Sequence, residues 1–352
     1  MNETGIDCLI IGCGLSGSVI ARTLAEKYGK RVLVWERRDH IGGNMFDYVD
    51  EHGILVHKYG PHSFHTNNKS LYDYICRFGD WKPYYLTCMA QIDGKNTLTP
   101  FNFSTNDTYF AHKKGEKIKR QLLCCYPNRK KIAIVELLQN PDELIKEYAN
   151  FLFEKDYKPY TDKQWGILPS QLDVSIFERV PVYLSYVSTY YDDLYQFMPA
   201  ISYSNYFQKL LDHPNIHVEL GIDANEHIKI HSSCNELFID GIICKKLVVY
   251  TGALDELFAG AEGVLPYRSL FFEWKHDKID SFQDAPVVVY PQADGYTRIT
   301  EYNKIPLQKV NGTTYAVEYP IPYDIKNNEP YYPILTEKGQ LQYKTYKKWQ
   351  MK

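Results

Sequence analysis

Gly12-Cys13-Gly14-Leu15-Ser16-Gly17 spells G-x-G-x-x-G, and its flanks decide the fold. Ahead of it, Ile6 to Ile11 is an apolar run of strand length. Behind it, Ser18 to Tyr28 carries Val19, Ile20, Leu24 and Ala25 at helical spacing. Arg31 to Glu36 is a second strand, almost continuously apolar, as a parallel strand buried on both faces should be. In such a βαβ unit Gly12 makes the tight turn, Gly14 lets backbone approach a pyrophosphate, and Gly17 lets the helix pack on the strand. The helix N-terminus offers unpaired N–H groups and the positive end of its dipole. Glu36 lies nineteen positions past Gly17. That is close to the spacing of ~20 at which a carboxylate accepts ribose hydroxyls. The stretch predicts a Rossmann-type dinucleotide-binding start.

Working outward, Ser70 to Phe78 has helical spacing, and Pro83 to Pro100 reads as short strands around a turn at Asp93-Gly94. Ile132 to Leu138 and Pro141 to Phe153 read as helices, the second with Pro141 in its first turn and Asn140 as its cap. From Asn215 the pattern returns to strands: Ile216 to Leu220, Leu237 to Ile239 and Leu247 to Thr251. Further strands are expected at Ser269 to Trp274, Val287 to Tyr290, Tyr296 to Glu301 and Thr314 to Tyr319. A βαβ start, a helical middle and a return to strands suggest a nucleotide domain interrupted by two insertions.

Composition narrows the functional classes. The chain has 352 residues, 44% apolar and 24% charged, with a net charge of −3, which favours neither nucleic acid nor an anionic membrane as a partner. The basic stretch Lys113 to Arg120 is interrupted by Glu116 and lacks interleaved aromatics, so it reads as a solvated surface. The 8 cysteines include no Cys-x-x-Cys, which points away from structural zinc and toward reduced thiols in a cytoplasm; no metal is expected. Met1 to Asp7 has no basic leader and Cys8 to Ile11 is too short to span a bilayer, so neither secretion nor membrane insertion is expected. Tyrosine is abundant, at 31 residues, which suits core packing and also a pocket where bases stack and hydroxyls need polar tips.

Glu36-Arg37-Arg38-Asp39-His40-Ile41-Gly42-Gly43-Asn44 resembles the extension found in FAD enzymes of the amine-oxidase-like class, and Val248-Val249-Tyr250-Thr251-Gly252 resembles the strand that returns to the cofactor there. His57-Lys58-Tyr59-Gly60-Pro61-His62-Ser63-Phe64-His65-Thr66-Asn67 resembles, nearly residue for residue, the flavin-facing segment of bacterial UDP-galactopyranose mutases. Tyr160-Thr161-Asp162-Lys163-Gln164-Trp165-Gly166 is the sharpest marker of that family. Arg179-Val180-Pro181-Val182, Pro266-Tyr267-Arg268-Ser269-Leu270, Tyr296 to Glu301, Glu318-Tyr319-Pro320 and Glu329 to Pro333 match further family motifs in order. The likeness runs from about Asp7 to Pro333 and thins between Trp81 and Tyr157.

The resemblance implies an α/β fold: a Rossmann-type FAD-binding domain (1–79, 197–252 and 320–352), an inserted helical bundle carrying substrate residues (104–196) and an antiparallel β-sheet domain (80–103 and 253–319). It implies a cytoplasmic isomerase of cell-surface polysaccharide biosynthesis that interconverts UDP-galactopyranose and UDP-galactofuranose, and it leaves a homodimer open. FAD must be reduced, its N5 acting as nucleophile at the anomeric carbon without net redox. By the same likeness Gly12, Gly14, Gly17, Glu36, Arg37, Gly43, Asn44, His62 and Gly252 hold the cofactor. Tyr160, Thr161, Trp165, Arg179, Tyr190, Arg268, Glu301 and Tyr319 meet the UDP-sugar, with His62, Arg179 and Arg268 in catalytic roles. An arginine suits a diphosphate because its planar fork gives two hydrogen bonds to one phosphate.

Two departures stand out. Phe197-Met198-Pro199-Ala200-Ile201-Ser202-Tyr203 replaces a family stretch richer in glycine, and the chain ends at Lys352 where the family continues into a segment that covers the flavin. The expectation from the second is weak FAD retention. Rival readings are an amine-oxidase-like FAD oxidoreductase and a truncated nucleotide-binding protein without turnover. An amine substrate needs no diphosphate grip, which counts against the first.

Overall fold

In a computed structural model, described for residues 5–167, 172, 173, 175–178, 180–231 and 236–348, strands Cys8–Ile11 and Val32–Glu36 form the centre of a four-stranded parallel sheet. Ile216–Leu220 flanks Val32–Glu36, and Leu247–Tyr250 flanks Cys8–Ile11. The two central strands are buried along their whole length because both faces are covered. Alternation divides their side chains between two cores. Cys8, Ile10, Val32 and Val34 pack with Ala21 and Ala25 of the Leu15–Tyr28 helix. Leu9, Ile11, Leu33 and Trp35 pack with Ala224, Ile228 and Ile239 on the other face. The helix starts at Leu15, three residues before the expected Ser18, because Gly14 itself takes the cap position.

The chain divides into two compact units. The first, Met1–Tyr84 with Asp193–Leu265 and Leu341–Lys352, contains the parallel sheet and a three-stranded antiparallel sheet of Phe64–Thr66, Tyr195–Pro199 and Trp81–Pro83. In the stretch that departs from the family pattern, Phe197–Pro199 is therefore strand, and Ser202 caps the Tyr203–Leu211 helix by accepting from Asn205 N.

The second unit, Tyr85–Asp192 with Pro266–Gln340, holds helices and a seven-stranded sheet. Sheet order is Tyr332–Pro333, Tyr267–Asp277, Thr313–Pro322, Arg298–Glu301, Val287–Val289, Cys88–Ile92, Lys95–Thr99. It is antiparallel except where Val287–Val289 pairs with Cys88–Ile92. Ile118, Leu122, Ile134, Leu137, Ile145 and Leu152 are fully buried in the helical core.

Local chemistry corrects two sequence expectations here. Ile132 ends a short strand and Ala133 is extended, so the helix expected from Ile132 begins at Ile134. The next helix spans Glu143–Leu152, and its cap is Asp142 rather than Asn140. The Asp142 carboxylate accepts from Leu144 N and Ile145 N and also from Gln121 Nε2, whereas Asn140 Oδ1 is used on Asp142 N. Asp142→Ala is expected to lower stability by about 1–2 kcal/mol, read from urea unfolding. A change within error would show that the cap carries no weight. A π-helical turn, Phe153–Tyr157, then runs directly into the Lys158–Trp165 helix, which ends at left-handed Gly166.

Candidate functional site

In the first unit the glycine turn is crowded by backbone. A Cβ on Gly17 would overlap Gly12 O, and a Cβ on Gly43 would stand 2.8 Å from Gly14 Cα. Gly12, Gly42 and Gly43 have φ of 97°, 90° and 57°, a region side chains disfavour. Gly42 N donates to Cys13 O, so the Gly42-Gly43 turn lies against the first glycine loop. The cap at Gly14 has no side-chain partner, which leaves the first N–H groups of a 14-residue helix directed at whatever occupies the turn. Glu36 is buried and accepts from Cys13 N (2.7 Å) and Arg38 N (3.0 Å), which fixes the carboxylate at the strand end. Arg37 pairs with Glu256, and Asn44 Oδ1 accepts from both Arg38 Nη atoms. Gly252 ends the Leu247–Tyr250 strand side of the turn, with the Tyr250 ring 2.7 Å from where a Cβ would sit.

The histidine string folds beside this cradle within the same unit. His62 Nδ1 lies 2.9 Å from Gly60 O, and a carbonyl only accepts, so Nδ1 carries a proton. His57 Nδ1 accepts from His62 N, and burial holds the His57 pKa down to about 3, so that ring is neutral. His65 instead pairs with Asp193 at 2.7 Å on a more exposed edge.

In the second unit, strand register decides which side chains meet. Arg268 stands opposite Tyr332, Phe272 opposite Glu318, and Glu318 opposite Arg298, so these share one face of the large sheet. Arg298 Nε donates to Glu318 Oε2 at 2.7 Å, and Thr300 Oγ1 donates to the other oxygen. Glu318 is 1% exposed while the Arg298 side chain keeps 25%. Burial works against the guanidinium's charge, but Glu318 with the Tyr332 and Tyr160 phenols outweighs it and raises the Arg298 pKa. Tyr160 and Tyr190 lie in the field of Arg298; burial raises both phenols and the arginine opposes it. Arg268 caps the end of the Lys158–Trp165 helix, donating to Lys163 O, Gln164 O and Pro320 O. Trp165 is 7% exposed, packed with Leu172 and Ile176, its ring 6.2 Å from Tyr332. Thr161 is buried on the same helix.

Tyr160, Trp165, Tyr190 and Arg268 are thus brought together. Glu301 and Tyr319 are not, which corrects their expected place beside them. Both fall on the opposite face, because side chains alternate along a strand. Glu301 is fully buried and accepts from Phe282 N, Gln283 N and Thr313 Oγ1, holding a turn. Tyr319 donates to Glu273 Oε2 and packs on Phe271. Arg298, Glu318 and Tyr332 take the vacated positions. The available signal was Glu318 inside an otherwise apolar or hydroxylic strand, and Arg298 at the head of a short strand that also ends in an acid. Arg179 lies outside the described residues. Among those described, no group of acidic, histidine and cysteine side chains could hold a metal, no helix is long and apolar enough to cross a membrane, and each of the seven cysteines is a free thiol.

A glycine-lined dinucleotide cradle in one unit, beside a second unit that carries an arginine–tyrosine cluster on a sheet face, defines a Rossmann-type nucleotide-binding protein. Residues 10–78 match the NAD(P)-binding Rossmann-like domain model, and residues 155–352 match the UDP-galactopyranose mutase model. A UDP-galactopyranose mutase of Mycoplasma genitalium is 35% identical over 98% of this chain and 86% of its own length. A dTDP-fucopyranose mutase of Escherichia coli is 33% identical over 94% of this chain and 85% of its own. The crystal structure of a reduced UDP-galactopyranose mutase has the same fold, with a TM-score of 0.70 at 15% identity over 98% of this chain and 86% of that one. The chain belongs to the UDP-galactopyranose mutase family, a family of isomerases.

Proposed function

We propose that this chain interconverts the pyranose and furanose forms of UDP-galactose on bound, reduced FAD. The observation that carries the reading is the gathering of Arg268 and Arg298 with Tyr160, Tyr190 and Tyr332 on one side of the large sheet. Guanidinium forks suit a diphosphate, and tyrosine faces suit a pyrimidine. The glycine approaches at Gly12, Gly14, Gly17 and Gly43 fit a dinucleotide pyrophosphate, with Glu36, Arg37, Asn44 and Gly252 around it and His62 on the flavin side. When bound in its reduced form the flavin supplies the electron pair that displaces UDP from the anomeric carbon, without net redox.

The chain's own residues do the rest. Arg268, Arg298 and Arg179 neutralise the departing diphosphate and keep it close enough to return. Tyr160 and Thr161 hold the base, and Trp165 borders the sugar. His62 keeps its proton on Nδ1 against Gly60 O, a contact that fixes the orientation of its ring.

UDP-galactofuranose is expected to be converted after dithionite reduction of FAD-loaded protein and not before it, followed by chromatography of the sugar nucleotides. Turnover that ignores reduction, or retention of NAD with exclusion of FAD, would overturn the reading. The same assay with dTDP-fucopyranose tests the alternative suggested by the relative that bears that name.

A further inference from the structure

Within the second unit, Lys163 makes an arrangement that substrate contact does not explain. Its ammonium donates to three backbone carbonyls of one loop: Tyr290 O at 2.6 Å, Ala293 O at 2.7 Å and Tyr296 O at 2.8 Å. An ammonium has three donors, so this cradle saturates it. The loop closes on itself around the cation, Ala293 N donating to Tyr290 O and Tyr290 N to Thr297 O. Two residues beyond Tyr296 stands Arg298, bound to Glu318. Three residues before Lys163, on the same helix, stands Tyr160. One side chain therefore ties the tyrosine helix to the loop that delivers the arginine. The far side of that helix end is tied separately, by Arg268 on the carbonyls of Lys163 and Gln164.

We propose that Lys163 is a positioning residue, its ammonium seated in the Tyr290–Ala293–Tyr296 carbonyl cradle so as to set the spacing between Tyr160 and Arg298 for the nucleoside diphosphate. This rests on the nucleotide reading of that face. The seat is costly to leave empty, because three carbonyls would each lose a charged donor together, Tyr290 O keeping only Ala293 N. It also works at the edge of the ammonium's range. Burial lowers the Lys163 pKa to about 8, with Asp294 from the loop and Asp156 from the π-helical turn as the opposing charges facing it.

The test is UDP titration of FAD-loaded protein, with FAD content and thermal stability measured alongside. Lys163→Met is expected to bind UDP roughly 10- to 100-fold more weakly, as loss of hydrogen bonds to a charged group implies, at unchanged FAD content. Lys163→Ala is expected to lose the same affinity and to regain most of it in n-propylammonium, which replaces the missing Cγ to Nζ, but not in n-propanol. A space-filling role would respond to both additives alike. UDP affinity of Lys163→Met within about two-fold of wild type would overturn the proposal, since one such bond is worth more than that. So would Lys163→Ala that ignores n-propylammonium, or joint loss of UDP, FAD and thermal stability, which would make Lys163 a folding residue. Failure of the wild-type protein to bind UDP overturns the nucleotide reading itself, and the positioning role falls with it.

Discussion

Gly17→Ala is expected to purify folded but without flavin. A methyl at this position would overlap Gly12 O, and Gly12 is already held, its N–H bonded to Trp35 O and Thr251 Oγ1 packed against the place a side chain would take. The backbone of the glycine turn must therefore move, and it moves away from the geometry that lets N–H groups converge on a pyrophosphate. Hydrogen bonds to charged groups contribute about 1.5–3 kcal/mol each, so misplacing two of them weakens the dinucleotide by roughly 100-fold or more. The parallel sheet should survive, because its cores are formed chiefly by strand and helix side chains on both faces, with Cys13 the turn's one buried contribution. Gly79→Ala is the control: nothing lies within 4 Å of its added Cβ, and its backbone is not in the left-handed region. Flavin absorbance after gel filtration, with circular dichroism for the fold, reads the result. FAD content in Gly17→Ala equal to that of Gly79→Ala would show that the cofactor does not use this turn.

The first unit was legible because its signals are local. Cys8 to Ile11 and Val32 to Trp35 are continuous apolar runs of the kind a strand buried on both faces shows, and the glycines between them mark positive φ or close backbone approach. Ends were less legible than middles. Asn140 was the expected cap, but its Oδ1 is used on Asp142 N, and the Asp142 carboxylate takes the helix N–H groups instead. The π-helical turn Phe153–Tyr157 has no sequence signature, since it differs from α-helix by one hydrogen-bond register over five residues.

The site in the second unit was half legible. Tyr160, Trp165 and Arg268 follow from motifs. Glu301 and Tyr319 did not reach the cluster, and Arg298, Glu318 and Tyr332 did, because the face a strand residue occupies depends on pairing with strands far away in sequence. A shift of one residue moves every side chain to the other side of the sheet. Arg298 and Glu301 are three apart on one strand and so cannot share a face, yet a string comparison favours the acid that ends the strand as readily as the arginine that opens it. Only the pairing of Arg298 with Glu318 resolves this.

Asp156→Asn is expected to stabilise the protein, with a gain that opens as pH rises past the ordinary carboxyl value of 3.8. Asp156 lies in the π-helical turn, 9% exposed, with no hydrogen-bond partner for Oδ1. Lys163 attracts it from a distance, but the lysine's three donors are held by the carbonyl cradle. Burial therefore dominates and raises the carboxyl pKa from 3.8 to about 7. Between those values the folded protein binds a proton that the unfolded chain has released, so stability falls as pH rises through the window. Below it both states are protonated and nothing is lost; above it both are ionised and the full cost stands. At about 1.4 kcal/mol per pKa unit that cost is roughly 4 kcal/mol, which asparagine does not incur. Urea unfolding of both proteins from pH 4 to pH 8 should give curves that coincide at the acid end. Asp156→Asn should then gain steadily and level off by roughly 4 kcal/mol near neutrality. Parallel curves across the whole range would mean that Asp156 ionises normally in the fold and that the buried, unpaired oxygen has found a partner.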